Sequence, residues 1–157
     1  MTATILPARS AQDLRDVAAL FVDYAAWLPI DLGYQGFEAE LAGLPGNYAP
    51  PGGELLLARG GDGAPLGCVG VRPLADEGCC EMKRLFLTPV ARGLGLGRSL
   101  AEAIVAVARG AGYREMRLDT LASMTGPIAL YERMGFVRIP AYYAPTPEGT
   151  VFMGLRF

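Results

Sequence analysis

The sequence predicts an α+β fold, a mixed sheet with helices on its faces, and three patterns carry that prediction. The middle of the chain alternates apolar runs with glycine-containing turns, which reads as successive antiparallel strands. A glycine-rich loop at 92–98 then opens a stretch with apolar residues at helical spacing. After that helix the chain reads strand, helix, strand, strand.

In chain order, residues 3–6 suit a short first strand. Ser10 resembles an N-cap, and Leu14, Val17, Ala18, Phe21 and Ala25 recur at helical spacing. That helix should finish near Trp27, ahead of Pro29. A second short helix is expected over Phe37–Leu41, before the breakers Leu44-Pro45-Gly46 and Pro50-Pro51-Gly52-Gly53. Glu54–Arg59 and Pro65–Arg72 flank the turn Gly60-Gly61-Asp62-Gly63 as a hairpin, and Asp76-Glu77-Gly78 turns the chain into a third strand, Cys79–Leu87. Leu96, Leu100, Ile104, Val107 and Ala111 mark one face of a helix ending near Gly110 and Gly112. Arg114–Thr120 is a strand, Pro127–Met134 a helix, and 136–139 and 150–155 close the sheet.

The 157 residues suit one domain, and 52% hydrophobic residues with a positive mean hydropathy support a sizeable core. No apolar run approaches the roughly 18 residues that a membrane helix needs. No signal peptide is read in Met1–Arg9, so the expected compartment is the cytoplasm. A formal net charge of -2 argues against a nucleic-acid partner. Cys68, Cys79 and Cys80 are an odd count without metal-ligand spacing and read as small apolar strand residues. The chain has no histidine, which removes Ser-His-Asp and Cys-His catalysis, His-ligated zinc and any histidine base.

The segment Arg92-Gly93-Leu94-Gly95-Leu96-Gly97-Arg98 lies between a strand and a helix. Glycines allow close backbone approach and positive φ, and the first amides of the helix favour an anion such as phosphate. A Walker A reading fails, because Arg98 stands where lysine is required. A dinucleotide loop fits better, with Asp119 at the end of the next strand. Its third glycine is missing in either frame, however, and too little chain follows Asp119 for a doubly wound domain.

The third candidate is the acyl-CoA loop Arg/Gln-x-x-Gly-x-Gly/Ala, which Arg92, Gly95 and Gly97 match at each fixed position. Leu85-Phe86-Leu87-Thr88-Pro89 precedes it as an apolar strand ending in proline. About 35 residues later, Ile128-Ala129-Leu130-Tyr131-Glu132-Arg133-Met134-Gly135-Phe136 is a helix that carries Tyr and ends at Gly-Phe. On these motifs the chain resembles the GNAT superfamily of acetyl-CoA-dependent N-acetyltransferases. The resemblance covers most of the chain and is weakest before residue 54.

The resemblance implies one GNAT domain over 1–157, with a mostly antiparallel, twisted sheet of about six to seven strands and helices on both faces. It implies acetyl-CoA as co-substrate. The backbone of Arg92, Gly93, Leu94, Gly95, Leu96, Gly97 and Arg98 would hold its pyrophosphate. Leu85, Phe86 and Leu87 would splay from the next strand and pair with the pantetheine arm, an N–H near Leu87 polarising the acetyl carbonyl. Many members carry Asn seven residues before the late Tyr, where this chain has Met124; Ser123 or Thr125 would have to supply that contact.

Acetyl transfer to an amine needs a base, since alkylammonium groups titrate near 10. Glu81, eleven positions before Arg92, matches where some members carry a catalytic Glu; the alternative is a structural pair with Lys83 or Arg84. Tyr131 is the candidate acid for the leaving thiolate, or else an aromatic wall of the site. Asp119 is expected to cap the next helix rather than contact substrate. A covalent route through Cys79 or Cys80 lacks a neighbouring base, so direct transfer in a ternary complex is expected. The acceptor is expected to be a small-molecule amine: an amino-acid derivative, a polyamine or an aminoglycoside. Trp27, Tyr34, Tyr48, Tyr142 and Tyr143 are candidate pocket aromatics. A non-catalytic acyl-CoA-binding module remains the other reading, and a homodimer is compatible with the family.

Overall fold

Residues 2–157 are described by a computed structural model, in which seven strands form one open sheet. The strands are β1 (Ala3–Pro7), β2 (Glu54–Gly60), β3 (Pro65–Pro73), β4 (Cys79–Leu87), β5 (Glu115–Leu121), β6 (Val137–Arg138) and β7 (Thr150–Arg156), in the spatial order β1-β2-β3-β4-β5-β7-β6. Every pairing is antiparallel except β4 with β5. The expected central meander is therefore present, and the one parallel junction follows from a helical crossover between β4 and β5. Among the described residues no helix is long and apolar enough to cross a membrane.

The period-two alternation of β2 divides the core. Leu55 and Leu57 face a cluster with Val17, Leu20 and Phe21 of helix α1 (Ala11–Trp27) and Phe37 of α2 (Phe37–Ala42). Leu56 and Ala58 face the opposite cluster, with Leu100, Ile104 and Ala108 of α3 (Leu96–Gly110) and Ile128 and Tyr131 of α4 (Thr125–Arg133). Helices thus cover both faces. Ser10 caps α1 as expected, in a reciprocal capping box with Asp13. Three short 3₁₀ turns, at Leu32–Gln35, Gly46–Tyr48 and Pro89–Ala91, were not anticipated.

A bulge interrupts β4. Gly70 pairs with Lys83 but Cys68 pairs with Phe86, so Arg84 and Leu85 share the place opposite Val69. Arg84 absorbs the extra residue in a left-handed conformation, φ 61°. Lys83 and Arg84 consequently both reach Gln35 on the α1 and α2 side of the sheet.

Candidate functional site

β4 and β5 pair only through Cys79↔Glu115, Cys80↔Met116 and Glu81↔Arg117. Beyond that point both strands continue without bonding to each other, and the wedge between them opens into a cavity of about 600 Å³. The expected splay is therefore present, with Leu85, Phe86 and Leu87 on one wall and Leu118–Leu121 on the other. Thr88 N–H bonds to Leu66 of β3 and the Leu87 carbonyl accepts from Arg92 Nε at 3.2 Å. By strand alternation, the backbones of Leu85 and Leu87 face the gap rather than β3.

The glycine loop forms one end of this groove. Gly93 and Gly95 have φ of 80° and 78°, and Gly95 sits at the N-cap of α3 without a side chain of its own. A Cβ on Gly97 would meet Leu87 Cδ1 at 3.4 Å, an ordinary van der Waals distance, so the start of α3 lies beside the end of β4. Arg92, Gly93, Gly95, Gly97 and Arg98 line the groove; Leu94 is exposed on its outside and Leu96 is buried in the core. Arg92 lies over the rings of Trp27 and Phe86, 5.0 and 5.6 Å from their centroids, and Arg98 pairs with Glu102.

Tyr131 projects from α4 into the opposite side of the same groove and packs on Phe136. Burial raises the pKa of its hydroxyl well above the tyrosine norm, and no hydrogen bond offsets that. Met124, Gly126 and Pro127 complete this wall. Met124 also occupies the N-cap of α4 without a side-chain bond.

Glu81 is on the α1 and α2 face of the sheet, opposite the face that carries Tyr131, and lines a second cavity of about 360 Å³. Its carboxylate is 2% exposed and accepts from Arg72 Nε at 3.0 Å and from the Tyr142 hydroxyl at 2.5 Å. The alternative to a base role, a structural pair with Lys83 or Arg84, is present only as a 4.0 Å contact with Lys83 and not with Arg84, which pairs with Glu40. The reason is register: Arg72 stands directly across from Glu81 in the β3–β4 ladder. Asp119 does not cap α4. It accepts from the Tyr143 hydroxyl at 2.7 Å and Gln35 Nε2 at 3.3 Å. Burial lowers the Lys83 pKa to about 8. Tyr34, Gln35 and Lys83 line both cavities and mark where they meet.

Of the candidate aromatics, Trp27 and Tyr34 line the larger groove and Tyr34, Tyr142 and Tyr143 the smaller one; Tyr48 is buried and bonded to Glu40. Sequence reasoning missed Gln35, Arg72 and Arg117, polar residues on strands or a short turn where no local pattern marks them. The three cysteines are buried, and burial lifts the pKa of Cys80 to about 12, which leaves it protonated and unreactive.

A sheet split at its one parallel junction, with a glycine loop and helix start at the split, has the arrangement that the GNAT resemblance implies and not the parallel sheet of a dinucleotide fold. The profile of the Acetyltransferase (GNAT) family matches residues 19–136, and the chain belongs to that family. It is 40% identical over 145 residues to an uncharacterised N-acetyltransferase of Schizosaccharomyces pombe, covering 92% of this chain and 89% of that protein. A GNAT-family acetyltransferase from Staphylococcus aureus Mu50 shares the fold at TM-score 0.81 and 18% identity, over 99% of both chains. The fold is also that of a phosphinothricin acetyltransferase from Sinorhizobium meliloti, solved in complex with AcCoA. Its TM-score is 0.72 at 22% identity, over 99% of this chain and 89% of that one.

Proposed function

We propose that this chain is an acetyl-CoA-dependent N-acetyltransferase acting on the primary amine of a small molecule, by direct transfer in a ternary complex. The observation that carries this reading is the wedge between β4 and β5, which brings unpaired strand backbone, the glycine loop and Tyr131 around one cavity. The residues present fit a CoA thioester: amides at the start of α3 and Arg98 for its phosphates, Leu85 and Leu87 for the amides of its arm. The AcCoA complex of the phosphinothricin acetyltransferase supports the assignment by analogy of fold. Acetyl-CoA would supply the acetyl group as an activated thioester.

The chain's own residues supply proton transfers and orientation. The Glu81 carboxylate is covered, so the base is the Glu81–Tyr142 pair: the Tyr142 oxygen takes the ammonium proton while its own proton passes to Glu81. The freed amine nitrogen forms the new C–N bond, and the C–S bond breaks. Tyr131 gives its proton to the departing sulfur and recovers one from the nitrogen. A strand N–H at Leu85 or Leu87 receives the negative charge that develops on the carbonyl oxygen.

Acetyl-CoA binding is checked by thermal unfolding, with NAD and ATP as controls. At about 100 times Kd a native-state ligand adds about 2.7 kcal/mol, which raises Tm by roughly 5–10 °C in a domain of this size. Trp27, the one tryptophan, lies on the groove wall, so its fluorescence should change in the same titration. No response to acetyl-CoA in either signal overturns the proposal. Gly95→Val should weaken acetyl-CoA binding at least tenfold, because a β-branched residue at φ 78° is strained by about 1–3 kcal/mol and relaxes by moving the loop. Isothermal titration of the folded variant measures it.

A further inference from the structure

The smaller cavity has an ordered charge pattern. Arg72, Glu81 and Arg117 stand side by side on β3, β4 and β5, since Arg72 pairs with Glu81 and Glu81 with Arg117 in the ladders. Adjacent strands are about 4.8 Å apart, so the three side chains form a short positive-negative-positive row. Lys83 lies two residues along the same face. Glu81 is engaged by Arg72, and the Lys83 ammonium, 4% exposed, has a carboxylate only at 4.0 Å and a neutral partner in Gln35. The half-buried Arg72 and the buried Lys83 thus share the Glu81 carboxylate, an arrangement that favours a further anion.

Arg117 holds the place where that anion would bind. It pairs with Glu115 and, at 2.7 Å, with Asp76, which is 67% exposed on the turn between β3 and β4. An ion pair at that exposure is held weakly, so a ligand carboxylate can take the place of Asp76 at little cost. Tyr142 lies beneath, with Arg117 5.7 Å from its ring centroid. The cavity, about 360 Å³, is at the small end of ligand sites, and it opens toward the donor groove at Tyr34, Gln35 and Lys83.

We infer that the acceptor is an α-amino acid or close analogue, its carboxylate held by Arg117 and Arg72 and its amine directed to the junction of the two cavities. The inference rests on the transferase reading above and selects one acceptor class within it. Polyamines and aminoglycosides have no group for the cationic row, and they would bring more positive charge against Lys83.

The test is thiol release from acetyl-CoA over the common amino acids, each paired with its own carboxamide. At least one amino acid should exceed its carboxamide in kcat/KM by about 10- to 100-fold, the range of a charge-assisted contact. In Arg117→Met that preference should fall to near one. Asp76→Ala, a change on an exposed turn, should lower KM for the amino acid and keeps the test available if Arg117→Met misfolds. Carboxamides used as well as amino acids would overturn the inference. Turnover of no amino acid, by protein whose Trp27 fluorescence responds to acetyl-CoA, overturns the inference and leaves the cofactor assignment standing. No response to acetyl-CoA overturns both.

Discussion

Tyr131→Phe should lower kcat by about 10²-fold or more, while Tm and the binding of acetyl-CoA change little. The ring sits between the groove and Phe136, and phenylalanine fills the same space. The hydroxyl makes no bond that folding depends on, so its loss costs the core almost nothing. What disappears is a proton donor kept protonated by burial, and positioned acids typically contribute 10² to 10⁴ in rate. The expected signature is a fall in kcat and kcat/KM together, the mark of an interaction made only in the transition state. Steady-state thiol release, with Trp27 fluorescence for binding and thermal unfolding for integrity, separates the terms. A kcat within a factor of three of the parent would move the acid role from Tyr131 to solvent.

The parts of this site legible in the sequence are those written within a few residues. Arg92, Gly95 and Gly97 could be placed because strand, loop and helix follow one another without interruption, and Tyr131 because its helix ends at Gly135-Phe136. The order of strands and main helices was legible for the same reason: periodicity of two or 3.6 is local. The partner of Glu81 was not, because Arg72 meets it only through the β3–β4 register and the bulge at Arg84 turns the next guanidinium toward α2. Asp119 looked like a helix cap from its place before α4, yet tyrosine 24 residues later takes its carboxylate. Gln35, which touches Lys83, Arg84, Asp119 and Tyr143, lies in a four-residue 3₁₀ turn too short to show any period. Chemistry carried by one segment can be read from a sequence, whereas chemistry assembled across strands awaits the register.

Glu40→Ala should destabilise the fold by about 3–5 kcal/mol and lower Tm by roughly 10 °C or more, although Glu40 is on a helix of six residues. Its carboxylate accepts from Arg84 Nε at 3.1 Å and Nη2 at 2.8 Å, and from the Tyr48 hydroxyl at 2.8 Å. The Arg84 side chain is 2% exposed, lying also over the rings of Tyr24 and Phe37. Burial opposes both charges, and the pair overcomes it, with the Glu40 pKa still held below its ordinary value by Arg84. Removing the carboxylate leaves a guanidinium in the interior without a counter-charge, at the residue that forms the bulge of β4. Because that bulge sets which backbone groups of Leu85 and Leu87 face the groove, acetyl-CoA affinity should fall along with stability. The double variant Glu40→Leu/Arg84→Met distinguishes the cause. Replacing a buried pair by apolar side chains of similar size is often neutral, so it should recover most of the lost stability. Recovery of stability without recovery of binding would place the bulge, and not the charge pair, as the feature the groove depends on. No recovery of either would mean that Glu40 stabilises the fold through Tyr48 and packing instead.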